Sequence, residues 1–202
     1  MKKIYISVAG NIGSGKSTFS AKLSNHFGWK LFEEPQDNFF LEDFYTNMER
    51  WAFHSQIFYL VHFIKIHLQI TAHAGPICQD RSIFESFEIF VKKMACDGIL
   101  SPREYEVCDA LYELFLPKVA MPTLLIYLNA SPRTLLSHIR KRNRLGEQNI
   151  TETYLENLSR LYDDWISSFS LCPVLSVDID VLDIMEPEHI RKIFSDVERF
   201  IA

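Results

Sequence analysis

Apolar and polar positions alternate along this chain in two rhythms. Short apolar runs at 3–9, Lys30–Glu33, Pro76–Gln79, Thr123–Leu128 and Val174–Val177 predict strands, the first of them rich in β-branched residues. Between them, apolar residues recur at helical spacing over 15–27, 48–73, 82–96, 102–119, 131–142, 151–169 and 187–201, which predicts helices. The 151–169 segment is the clearest: Thr151 offers a cap, and Leu155, Leu158, Leu161, Tyr162, Trp165, Ile166 and Phe169 form one stripe suited to core packing. Strands alternating with helices predict an α/β fold, a parallel sheet of about five strands with helices on both faces. In such sheets ligands bind at the carboxyl ends of the strands. The segments Glu34–Asn38 and Arg144–Asn149 read as loops.

The first strand runs into Gly10-Asn11-Ile12-Gly13-Ser14-Gly15-Lys16-Ser17-Thr18, which matches G-x-x-x-x-G-K-[ST]. Phe19, Leu23 and Phe27 follow at helical spacing. A strand, a glycine loop and a helix N-terminus together cradle phosphate, because backbone N–H groups and the helix dipole face the anion. Lys16 then reaches the outer phosphates, and the Ser17 hydroxyl suits Mg²⁺. A chance glycine turn in that context is rare, so the segment predicts ATP or GTP binding and a P-loop three-layer sandwich.

Composition narrows the picture. The 202 residues suit one domain, and sixteen Phe with eight Tyr predict cores and pockets rich in rings. A net charge of −5 gives no overall basic footprint for nucleic acid. Cys78, Cys96, Cys108 and Cys172 show no paired spacing, which favours a reducing cytoplasm over a disulfide frame or zinc site. No apolar run approaches the ~20 residues of a membrane span, and the N-terminus lacks the longer apolar core of a signal peptide.

Three further clusters carry chemistry. Glu33-Glu34-Pro35 follows the second strand, where a carboxylate can take a proton from a hydroxyl attacking a γ-phosphate; a solvated acidic turn reads equally well. Asp80-Arg81-Ser82 closes the third strand. Asp80 there suits the Mg²⁺ shell, and Arg81 suits orienting a carboxylate or steadying phosphoryl charge, against a plainer helix cap and ion pair. The basic run Arg140–Arg144 ends a helix, where cations also favour the dipole. Several cations around a glycine-bearing loop suggest a lid, at about 140–149.

Taken together these residues resemble the deoxynucleoside kinases of the non-thymidylate P-loop group, over nearly the whole chain and in order. The family's catalytic Glu before Pro matches Glu34-Pro35. Tyr45-x-x-x-Glu49-Arg50-Trp51-x-Phe53-x-x-Gln56 resembles a segment whose Tyr meets the sugar 3′-hydroxyl and whose Gln reads the base. The [ED]-R-S motif is Asp80-Arg81-Ser82, the stacking Phe falls on Phe90, and R-x-R-x-x-E-Q is Arg142–Gln148, in which Glu147 also meets the 3′-hydroxyl. The resemblance implies transfer of the γ-phosphoryl of Mg²⁺-ATP to a deoxynucleoside 5′-hydroxyl. Glu34, Arg81 and Lys16 would be catalytic, Gly10–Thr18 with Arg140, Arg142 and Arg144 would hold ATP, and Ser17 with Asp80 would hold the metal.

The chain departs from many relatives at the base, with Phe63 and Ser86 where an Arg and an Asp are common. Such a swap implies room for a 5-methyl pyrimidine, hence thymidine or deoxycytidine ahead of the purines; a deoxyadenosine or deoxyguanosine kinase is the alternative. His138 and Asn143 replace a common Arg and a usual Gly in the lid. Relatives of this kind are usually homodimers, and the 102–119 stripe of Tyr105, Cys108, Leu111, Tyr112 and Phe115 suits either a dimer face or core packing. A nucleoside monophosphate kinase would need more than the single cation Arg50 near Glu34–Gln56. A nucleotide-dependent switch would have no use for sugar and base contacts.

Overall fold

A computed structural model of the chain describes residues 3–144 and 147–201. Five strands, β1 (Tyr5–Gly10), β2 (Lys30–Phe32), β3 (Ile77–Asp80), β4 (Leu124–Asn129) and β5 (Val174–Asp178), form one sheet in the order β2-β3-β1-β4-β5. Every pairing is parallel. β1 lies at the centre, with Ile6 opposite both Cys78 and Leu124, and all six of its residues are buried. An apolar strand of this kind fits only where helices cover both faces.

Alternation along the strands divides the core in two. Ile6, Val8, Leu124, Ile126 and Leu128 pack with Phe19 and Leu23 of α1 (Lys16–Phe27), Leu135 and Ile139 of α7 (Pro132–Arg142), and Phe194 and Val197 of α9 (Pro187–Ile201). Ala9, Leu125 and Tyr127 face the other cluster. It includes Phe63 of α3 (Met48–Ala72), Cys108 and Tyr112 of α6 (Pro102–Phe115), and Leu158, Tyr162 and Trp165 of α8 (Glu152–Ser168). The expected three-layer α/β sandwich with its P-loop is therefore present.

Three local features were not foreseen. A short helix, α2 (Leu41–Thr46), follows the second strand's loop and buries only Phe44. The segment expected as one helix over 82–96 contains α4 (Ile83–Glu85), a wide π turn over Ser86–Val91, and α5 (Lys92–Cys96). The helix expected to reach 119 stops at Phe115 and tightens into a 3₁₀ turn at Leu116–Lys118, because Pro117 cannot continue the hydrogen-bond ladder. Among the described residues no helix is long and apolar enough to cross a membrane.

Candidate active site

The sheet order brings the site together. β1 is followed on one side by β3 and on the other by β4, so the chain reverses its direction of travel across the sheet at β1. Ligands of open α/β sheets bind in the crevice at such a point. A cavity of about 370 Å³ opens there. Gly13, Gly15, Lys16, Ser17 and Thr18 line it together with Glu34 and Arg81 from the ends of β2 and β3. Rings and an amide complete it: Phe44 and Tyr45 from α2, Gln56 and Tyr59 from α3, Phe90 from the π turn, and Tyr154 from α8.

The phosphate loop leaves the sheet at Gly10. Its backbone turns through left-handed conformations at Gly13 and Gly15, with φ of 86° and 90°. Buried Lys16 donates through Nζ to the carbonyls of Gly10 at 2.7 Å and Asn11 at 3.1 Å, which fixes the ammonium over the loop. Burial lowers its pKa and nearby Arg81 adds to that, while Glu85, Glu34 and Asp80 oppose it.

Arg81 is the hub of the site. It holds a left-handed backbone with φ of 57°, uncommon for a side-chain-bearing residue and typical of functional positions. Its Nη1 donates to Glu34 Oε1 at 2.6 Å, and its guanidinium carbon lies 4.5 Å from the Phe90 ring centroid. Burial works against its charge, but Glu34 and Glu85 outweigh that and raise its pKa. Beside it, the Asp80 carboxylate is 1 % exposed, and neither oxygen finds a hydrogen-bond partner. Burial and then Glu34 push the Asp80 carboxyl above its ordinary range, while Lys16 and the Ser17 hydroxyl draw it back. Buried carboxylate oxygens left without donors, next to the Ser17 hydroxyl, form the hard oxygen set that suits Mg²⁺.

The deoxynucleoside kinase family model matches residues 6–202, nearly the whole chain. The chain belongs to the deoxynucleoside kinase family. It is 37% identical over 191 residues to the deoxyadenosine/deoxycytidine kinase of Bacillus subtilis, covering 93% of this chain and 88% of that one. It is 30% identical over 204 residues to the deoxyguanosine kinase of the same organism, covering 98% of each. The deoxyadenosine kinase from M. mycoides, solved with the products dCMP and a flexible dCDP, superposes with a TM-score of 0.86 at 28% identity over 97% of this chain and 100% of that one. The chain is an ATP-dependent deoxynucleoside kinase, a phosphotransferase.

Most of the residues singled out in the sequence come together in this kinase. Ile12, Gly13, Gly15, Lys16, Ser17, Thr18, Glu34, Tyr45, Gln56, Arg81, Ser86, Phe90, Arg142, Arg144 and Glu147 line one cavity. Gly10, Asn11 and Ser14 build the loop behind it: Asn11 ties the loop to α8 through Nδ2 bonds to the Leu155 carbonyl and the Ser159 hydroxyl, both at 3.0 Å. Phe63 does not reach the wall. It is fully buried in the core, and Tyr59, stacked on it with ring centroids 6.3 Å apart, takes the wall in its place. Arg140 is exposed and away from the cavity. Arg142 grips the buried Glu147 with Nε at 3.1 Å and Nη2 at 2.7 Å from Oε2. Leu145 and Gly146 of the expected lid lie outside the described residues.

Sequence reasoning missed Tyr59, Met94, Tyr154 and, above all, Glu85. Burial, with Glu34 next, pushes the Tyr59 hydroxyl up to about 12. Glu85 carried a faint signal, being an acid among Ile83, Phe84 and Phe87, which are all buried.

Proposed function

We propose that this kinase transfers the γ-phosphoryl of Mg²⁺-ATP to the 5′-hydroxyl of a deoxynucleoside, with Glu34 as proton acceptor. The observation that carries this reading is the Glu34–Arg81 pair set within one cavity with the phosphate loop. Arg81 orients Glu34 through the 2.6 Å contact, so a carboxylate oxygen is placed to accept the hydroxyl proton as the oxygen attacks phosphorus. Lys16, Arg142 and Arg144 neutralise charge spread over the transferred oxygens. Ser17 and Asp80 would hold Mg²⁺, which would supply positive charge against the phosphates. Tyr45 and Glu147 contact the sugar 3′-hydroxyl, and Phe90 stacks on the base.

Gln56 and Tyr59 line the part of the cavity that would meet the base. Gln56 is 3 % exposed, and its Oε1 lacks a hydrogen-bond partner. A side-chain amide offers an acceptor and a donor side by side, which can pair with the amino group and ring nitrogen of adenine or cytosine and equally with the ring N–H and carbonyl of guanine or thymine. Phe63, expected to border the base, lies behind Tyr59 in the core, so Tyr59 and Ser86 line the wall there. The relatives, named for deoxyadenosine, deoxycytidine and deoxyguanosine, lend no support to pyrimidines over purines. Deoxyadenosine and deoxycytidine, for which the 37%-identical relative is named, are the substrates proposed.

A homodimer is part of the same reading. Cys108 and Tyr112 of α6 are core residues, but Val107 and Leu114 on that helix and Leu68 on α3 are exposed apolar side chains fit for a partner copy. Sedimentation as a strict monomer would discard it. The catalytic assignment is tested by Glu34→Gln. Its kcat should fall on the order of 10²–10⁴-fold, the usual share of general-base catalysis, with an unchanged melting profile. Near-full turnover would remove Glu34 from the mechanism.

A further inference from the structure

Glu85 belongs to none of the motifs above, yet it is fully buried where the donor and acceptor halves of the site meet. Its Oε1 accepts hydrogen bonds from the hydroxyl of Tyr162, itself fully buried on α8, and from the backbone N–H of Gly10 at 3.3 Å. The same oxygen faces Arg81 Nε at 3.6 Å. Removing a carboxylate from water is costly, and apolar or amide groups of similar size often fill such space at no loss of stability. Stability alone therefore does not explain a carboxylate at this position.

The geometry of Arg81 supplies the reason. An arginine beside one carboxylate favours a bidentate fork that occupies both carboxylate oxygens. Arg81 bonds Glu34 through Nη1 alone, at 2.6 Å. Three features surround this guanidinium: the left-handed backbone, the Phe90 ring 4.5 Å from its carbon, and Glu85 facing the Nε edge at 3.6 Å. We propose that Glu85 is a positioning residue for Arg81. It holds the guanidinium so that one nitrogen meets Glu34, which leaves the second Glu34 oxygen for the acceptor hydroxyl. Through Gly10, the same carboxylate ties Arg81 to the first residue of the phosphate loop, so base and phosphate are registered by one buried group. The proposal rests on Glu34 as the proton acceptor.

Glu85→Gln tests it, since glutamine keeps an oxygen for Tyr162 and Gly10 but removes the charge facing Nε. The kcat should fall on the order of 10–100-fold, the cost of roughly 1 Å of misplacement. The KM values for nucleoside and ATP should stay within about twofold, because binding is made elsewhere. Tyr162→Phe removes the donor that fixes Glu85 and should lower kcat in the same sense, by a smaller factor, again at constant KM. Wild-type kcat in Glu85→Gln, or a change confined to KM, overturns the proposal. If Glu85→Gln does not fold, wild-type kcat in Tyr162→Phe overturns it, and a kcat-only loss supports it. Glu34→Gln measured in parallel separates the two levels: an active Glu34→Gln enzyme refutes the proton-acceptor reading, whereas an inactive one beside a normal Glu85→Gln refutes the role of Glu85 alone.

Discussion

The phosphate-loop pattern leaves position 13 open to any residue, but the fold does not. Gly13 has φ of 86°, and a Cβ placed on it would lie 2.7 Å from the Leu135 carbonyl oxygen and 3.0 Å from Ile139 Cγ1. Both neighbours belong to α7, and the carbonyl is helix backbone that cannot rotate aside. Gly13→Ala therefore forces a left-handed alanine, at about 1–2 kcal/mol, and overpacks the loop against α7, at about 1–3 kcal/mol. The sum, about 2–5 kcal/mol, is a large share of the ~5–15 kcal/mol that stabilises a typical domain. At roughly 2–4 °C per kcal/mol for a chain of this size, melting should drop by about 4–20 °C. Relief by outward movement of α7 would also break the His138 contact to the Gly13 carbonyl, at 2.9 Å, and carry Arg142 off Glu147. The KM for ATP should then rise about tenfold or more, since displacements near 1 Å cost up to ~100-fold. Thermal melting with an ATP titration reads both effects. An alanine enzyme melting within about 2 °C of wild type with an unchanged KM would show that α7 does not press on the loop.

Two more outcomes follow from other parts of the molecule. His67 is buried with neither ring nitrogen hydrogen-bonded, and burial lowers its pKa to about 4. The unfolded chain, with an ordinary value near 6.5, binds that proton first, so stability is lost as pH falls from about 6.5 to 4, by about 3 kcal/mol in total. His67→Phe should flatten that part of the pH–stability curve, and denaturation midpoints with an undiminished slope would contradict it. Glu147→Gln should lower kcat/KM for a deoxynucleoside about 10–100-fold more than for its 3′-deoxy analogue, because only the former loses a partner for its hydroxyl. Equal losses for both substrates would take Glu147 away from the sugar.

How much of this was legible beforehand depends on scale. The five strands were readable because the buried ones are continuous apolar runs, and β1 announces the glycine loop. The six-residue α2 was not, since Leu41–Thr46 mixes acids with rings and buries only Phe44. The π turn at Ser86–Val91 keeps a helix-like pattern while shifting Phe90 relative to Ser86, which spacing alone does not reveal. Phe63 lies seven residues beyond Gln56, hence on the same helix face but roughly 10 Å further along. That is far enough to leave the cavity, and Tyr59, one turn from Gln56, fills the wall. Arg140 shares a basic run with Arg142, yet two residues of helix turn it about 200° away. Glu85 reads as an ordinary first-turn acid, because sequence shows no burial for a single residue.

In the mechanism proposed above, one cavity joins ATP to the 5′-hydroxyl of a deoxynucleoside. The most direct measurement is product analysis after incubating the enzyme with Mg²⁺-ATP and, separately, deoxyadenosine, deoxycytidine, deoxyguanosine, thymidine and deoxyadenosine 5′-monophosphate. The expected products are 5′-monophosphates with equimolar ADP, formed fastest from deoxyadenosine and deoxycytidine, with no turnover of the monophosphate. ADP released without an acceptor, or a diphosphate formed only from the monophosphate, would contradict it.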